Sequence, residues 1–211
     1  MSARKTKIAT EKAFDAAKVQ EILLQALQSR IDQAPNENQA RNLLAEKRLF
    51  SDSSMLHAIE KLHGLGVDLE SIAAQIRLTQ SEDKELFLAV YVIQKMRKAM
   101  LAIAQNLRAF DGYTNSILYN LIRNNELSNK AARASICKSI EFTALEQVYA
   151  LRRMHNCSES TATTQASSTR MMLKALRVCN VAKGKSKDTI TLADTPVASV
   201  VRAMYENATN A

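Results

Sequence analysis

Ser167-Ser-Thr-Arg-Met-Met-Leu-Lys-Ala-Leu-Arg-Val-Cys179 reads as an amphipathic helix, and Asn180-Val-Ala-Lys-Gly-Lys-Ser-Lys-Asp-Thr-Ile-Thr-Leu192 behind it alternates like a small β-hairpin. In the helix Met172, Leu176 and Cys179, with Leu173 and Val178, point inward. Ser168, Thr169, Arg170, Lys174 and Arg177 are left for the other face. In the hairpin Val181, Ile190 and Leu192 supply the inward positions and Gly184 to Asp188 the loop, so Lys183, Lys185 and Lys187 alternate onto one side. From Ser160 to Lys187 there are six basic residues and no acidic one, whereas a solvated face usually mixes signs. Helix-borne cations at steps of three and four suit phosphates, and hydroxyls at a helix start can bond phosphate or base edges. Ser168, Thr169, Arg170, Lys174, Arg177, Lys183, Lys185 and Lys187 are therefore the candidate nucleic-acid-binding residues; a solvated basic face or a contact to an acidic protein patch remains the other reading.

Working outward, Glu141 to Asn156 reads as a helix, Ser158 to Gln165 as a short polar element, and Thr195-Pro196 as the start of a last helix capped by Asp194 or Thr195. This order over residues 141–205 resembles a winged-helix DNA-binding domain of the MarR-like kind. The resemblance implies a recognition helix over 167–176 and a basic wing after it. That family's second helix carries large apolar residues; Ser158-Glu-Ser-Thr-Ala-Thr-Thr-Gln165 carries none, which leaves helix and loop both open there. Upstream, Asn115 to Asn124, a short helix capped by Ser128, and Glu141 to His155 also read as a helix-turn-helix unit. Ala-Leu-Arg recurs at 150–152 and 175–177.

Asp111-Gly112 is a turn signal, and it divides a helical bundle over residues 1–110 from a basic domain over 111–211. In the first part, helices are predicted over residues 10–31, 39–49, 55–63 and 69–78, with Asp52, Ser53 or Ser54 and then Asp68 as caps and Gly64 as a left-handed stop. Thr79-Gln-Ser-Glu82 matches a capping box and predicts a long helix over 79–110, apolar nearly all round, suited to a bundle core or a homo-oligomer interface. The predicted fold class is mainly α: a helical N-terminal bundle, then a winged-helix-like C-terminal domain with one small β-hairpin.

The 211 residues include four Gly and two Pro, too few for an all-β chain of this size. The net charge is +8, with +2 in residues 1–100 and +6 in residues 101–211. The longest apolar run, Leu86 to Ile93, falls far short of a bilayer span, and the basic start lacks a signal-peptide core. A cytoplasmic protein is predicted, at a nucleoid or in a virion included. Cys137, Cys157 and Cys179 lack CxxC spacing and read as reduced thiols. His57 and His63 fall on different faces of a helix, so no zinc pair is expected, and phosphate-cradling and hydrolase motifs are absent. No catalytic residue, metal or cofactor is predicted. The expected function is nucleic-acid binding, on DNA, in a regulatory or genome-organising role; the alternative is a helical oligomeric assembly protein, such as a viral structural, scaffolding or packaging component.

Overall fold

The computed structural model describes residues 14–83, 86–142, 151–153, 155–182 and 188–206. The N-terminal part contains α1 (Ala16–Asp32), α2 (Glu37–Phe50), α3 (Ser53–Gly64) and α4 (Leu69–Arg77). Each starts where a side-chain oxygen accepts a backbone N–H that the helix leaves unpaired: Asp15 from Lys18, Asn36 from Gln39, Asp52 from Ser54 and Asp68 from Ser71. The left-handed stop after α3 is Gly66 (φ 77) and not Gly64, and it lets Val67 N reach back to Leu62 O at 3.0 Å.

The helix predicted over 79–110 is much shorter: α5 covers Val90–Ala104. Thr79 and Glu82 do pair, with the carboxylate accepting from Thr79 N at 2.6 Å and from its hydroxyl at 2.8 Å, but a turn and not a helix follows. Arg30 accounts for the break. Its side chain, buried on α1, donates to the Leu78 carbonyl and lies 4.5 Å from the Phe87 ring centre, which ties both ends of this connection to α1. Leu88 is buried and Ala89 is extended before α5 begins. At the other end Asn106 (φ 53) takes the left-handed position and Leu107 N closes on Ala102 O at 2.9 Å. The apolar faces of α5 are covered within the chain, by α2, α3 and the C-terminal helices, so their apolar character reflects a bundle core. Arg97 Nε also reaches Glu46 Oε2 of α2 at 2.7 Å, an ion pair with little exposure.

The C-terminal part runs α6 (Gly112–Asn124), β1 (Glu126–Ser128), α7 (Asn129–Ala134), α8 (Glu159–Ala175), β2 (Cys179–Ala182), β3 (Thr189–Leu192) and α9 (Pro196–Glu206). Ser128 caps α7, and Thr195 Oγ1 accepts from Ala198 N ahead of the proline-initiated α9, as the sequence suggests, whereas Asp111, read as a turn, caps α6, which starts at Gly112 and not Asn115. The predicted hairpin forms with Val181 opposite Ile190. A third strand, unpredicted because it is only three residues long, pairs Leu127 with Ile190 and gives an antiparallel sheet ordered β1-β3-β2. One buried apolar cluster runs through both parts of the chain, with α5 packed on α8 and α9.

Two further expectations are corrected in the C-terminal part. The helix expected over 141–155 is not borne out at its ends, since 141–142, 151–153 and 155 are non-helical; residues 143–150 and 154 lie outside the described residues. The short element over 158–165 and the helix over 167–179 are one continuous helix, α8, ending at Ala175. Ser158 caps it through Thr161 N, and Ala162, Gln165 and Ala166 are its buried positions where large apolar residues were sought. Small side chains there let the α8 backbone approach its neighbours closely. Replacing Ala162 (0% exposed) by Leu should therefore destabilise the fold by about 1–3 kcal/mol, measured as a lowered urea midpoint.

Candidate nucleic-acid interface

The structure divides the eight predicted residues into three groups. Ser168 and Thr169 are buried, 6% and 0% exposed. The Ser168 hydroxyl donates to Gln165 O at 3.0 Å, and the Thr169 hydroxyl lies 3.1 Å from that of Thr114 on α6. Neither faces outward, because α8 turns this side toward α5 and α6. Lys183, Lys185 and Lys187 lie outside the described residues. Arg170, Lys174 and Arg177 remain at the surface, with different partners.

Arg170 Nη1 meets Asp188 Oδ2 at 2.7 Å, tying α8 to the residue just before β3. Lys174 is exposed. Arg177 is not on the helix face: it follows the helix end in a left-handed conformation (φ 59), with Val178 N closing on Leu173 O at 2.8 Å. A non-glycine residue there bears a conformational cost of about 1 kcal/mol or more. Its side chain donates to Gly66 O at 2.9 Å and its carbonyl accepts from Thr195 Oγ1 at 2.8 Å, so Arg177 links the α3–α4 turn to the start of α9. Lys174 and Arg177 also border a groove that contains Asp68, which moderates the positive field at that end.

The outward stripe of α8 is instead Ser160, Thr163, Ser167, Arg170 and Lys174, spaced by three and four residues, with Thr164 beside it. Ser160, Thr163, Thr164 and Lys174 are exposed, and Ser167 and Arg170 are half-buried. The sequence reading missed the first half of this stripe because it took 158–165 for a separate element. Further cations gather around α6: Arg123 of the helix itself and Arg152 from the α7–α8 link lie 5.5 and 5.3 Å from the Tyr119 ring. The i, i+4 pairing of Tyr119 with Arg123 was legible in the sequence; the approach of Arg152 was not.

The orientation of α8 is set by a buried polar cluster. Lys95 of α5, 3% exposed, donates to Asp111 Oδ1 at 2.8 Å, Asp111 Oδ2 at 2.9 Å and Thr114 Oγ1 at 3.0 Å, and Thr114 in turn meets Thr169. Burial lowers the Lys95 pKa, against the bonds from Asp111 that raise it. Burial pushes Asp111 upward, but hydrogen bonds from Lys95 and Thr114 outweigh it and hold the carboxyl below its ordinary value.

Cys137 and Cys179 are buried and Cys157 half-buried, all as free thiols, and burial pushes the Cys179 thiol up to about 12. Among the described residues no group of three His, Cys, Asp or Glu side chains is placed to hold a metal ion, and no helix is long and apolar enough to cross a membrane. Compared with known proteins, the chain matches no family model, no curated protein and no solved structure.

Replacing Lys95 by Met leaves the Asp111 carboxylate without its cation and should cost about 3 kcal/mol in chemical denaturation; adding Asp111→Ser, which retains a capping oxygen, should recover part of that loss. Because the folded pKa of Asp111 is lowered, its contribution is full above the ordinary aspartate value near ~4 and fades as pH falls through the lowered one. Acid titrations of the wild type and of the double variant should differ in that window.

Proposed function

We propose that the chain binds nucleic acid, with DNA as the ligand, through a winged-helix unit made of α6, β1, α7, α8, β2 and β3, in a regulatory or genome-organising role. One observation carries this reading: the order helix, strand, helix, helix, hairpin, closed by a sheet in which β3 lies between β1 and β2. It is the element order of a winged helix. On this reading the first helix of the unit begins at Gly112, upstream of the Glu141 start read from sequence, and α8 is the recognition helix. The net +6 of residues 101–211 supports a polyanionic partner.

Within this reading the α8 stripe docks in the major groove, with Ser160, Thr163 and Ser167 toward base edges or phosphates and Arg170 and Lys174 on the backbone. Lys183, Lys185 and Lys187, which lie outside the described residues, keep their sequence-based assignment to the adjacent phosphates. Ser168 and Thr169 drop out as contacts because they are buried. Arg177 serves by holding the helix end.

Fluorescence anisotropy with a labelled duplex, titrated across salt concentrations, tests the proposal. Arg170→Ala, Lys174→Ala and Lys185→Ala together should weaken binding and reduce the log–log salt slope by about 0.9 for each phosphate that is no longer neutralised. Thr169→Ser should leave affinity unchanged. Equal affinity and equal slope for the triple variant and the wild type would contradict the assignment, and tighter binding to single-stranded RNA than to the duplex would contradict the choice of DNA.

A further inference from the structure

A second basic site lies on α6, apart from the α8 stripe. Arg108, Asn115, Ser116, Tyr119, Arg152 and His155 line a cavity of about 470 Å³, within the usual range for small-molecule sites. No carboxylate lines it among the described residues. The nearest acidic residue in sequence, Asp111, is committed to Lys95 and Thr114.

The arginines are exposed, but each guanidinium is braced on an aromatic ring. Asn120, fully buried on α6, clasps the backbone of Arg152 from both sides: its amide donates to Arg152 O at 2.9 Å and its carbonyl accepts from Arg152 N at 2.7 Å. The Arg152 guanidinium then lies over Tyr119, whose hydroxyl accepts from Arg123 Nη1 at 2.8 Å. Across the cavity the Arg108 guanidinium lies 4.4 Å from the Tyr205 ring centre, and the Tyr205 hydroxyl donates to Asn115 Oδ1 at 2.6 Å. His155 Nε2 sits 3.0 Å from Ser116 Oγ and 3.1 Å from Gly112 O. Gly112 leaves room for this ring, since a Cβ there would stand 3.2 Å from His155 Cε1.

Two guanidiniums that line one cavity with no carboxylate among the described lining residues favour an anion between them. The hydrogen bond from Arg123 holds the Tyr119 phenol below its ordinary pKa. Planar guanidinium forks match the paired oxygens of an oxyanion better than a halide, and a phosphate offers enough oxygens for two forks at once.

We propose that this cavity binds the phosphate group of a small molecule, held between Arg108 and Arg152 with His155 and Ser116 as further hydrogen-bonding groups. The ligand is free phosphate or a mononucleotide, and its site is separate from the DNA-binding surface proposed above.

Isothermal titration of the full chain with inorganic phosphate, 5′-AMP and adenosine tests this. Saturable binding near or below about 1 mM is expected for phosphate or 5′-AMP and none for adenosine; binding by 5′-AMP alone would identify the nucleotide as the source. Arg152→Gln should weaken binding at least tenfold without lowering the melting temperature, because the Asn120 clasp holds only its backbone. Arg108→Gln should do the same, and Arg170→Ala with Lys174→Ala should leave this affinity unaltered. The proposal is overturned if neither anion gives saturable heat, if binding survives both Arg152→Gln and Arg108→Gln, or if adenosine binds as well as 5′-AMP. It is also overturned if only duplex DNA competes for the two arginines, which would make the cavity a backbone contact of nucleic acid.

Discussion

The buried ammonium of Lys95 is the constraint on which the arrangement of this chain depends. It comes from α5 in the N-terminal part, yet its three acceptors lie on the cap and first turn of α6, and through Thr114 the same cluster reaches Thr169 on α8. A charge removed from water must be matched where it stands, so the helices that supply its partners cannot slide or rotate independently. Successive residues differ by about 100° around a helix, so turning α8 by one position would bring Arg170 to the place of Thr169. The polar cluster thus faces α5 and α6, and the stripe from Ser160 to Lys174 faces out.

Local chemistry made much of the fold legible. Asp52, Asp68, Ser128 and the Thr195-Pro196 pair act where their side-chain oxygens and ring geometry require, and Val181, Ile190 and Leu192 lie on the strands their alternation suggested. What escaped depends on contacts distant in sequence. Thr79 and Glu82 pair as a capping box would, but Arg30, 48 residues before Leu78, holds the connection against α1 and delays the helix until Val90. Ala162 and Ala166 offer no apolar bulk to a reader of periodicity, although they are what allows α8 to run unbroken. A strand of three residues, Glu126–Ser128, has no periodicity to detect at all.

The candidate site follows the same division. The excess of positive charge in the C-terminal half was correctly located by counting, but counting does not say which way a side chain points. Thr169 was assigned to the exposed face from its spacing and is drawn inward by a hydroxyl 55 residues away. Arg170 and Lys174 stay on the outer side of α8, where Arg170 meets the carboxylate of Asp188 at the surface. Arg177 lies past the helix end in a left-handed turn, a position usually given to Gly, so its side chain leaves the face its spacing implied. Two other arginines of this half, Arg108 and Arg152, line one cavity because Asn120 anchors the stretch of the α7–α8 link that carries Arg152.

The outward stripe of α8, set by the Lys95 cluster, is proposed as the surface that meets nucleic acid. Amide chemical-shift mapping of the full chain with a short DNA duplex tests this most directly. Perturbations should concentrate at Ser160, Thr163, Ser167, Arg170 and Lys174 and in the β2–β3 hairpin, with the amides of α1 to α4 unmoved. Perturbations confined to α1 to α4, or none at saturating duplex, would contradict it.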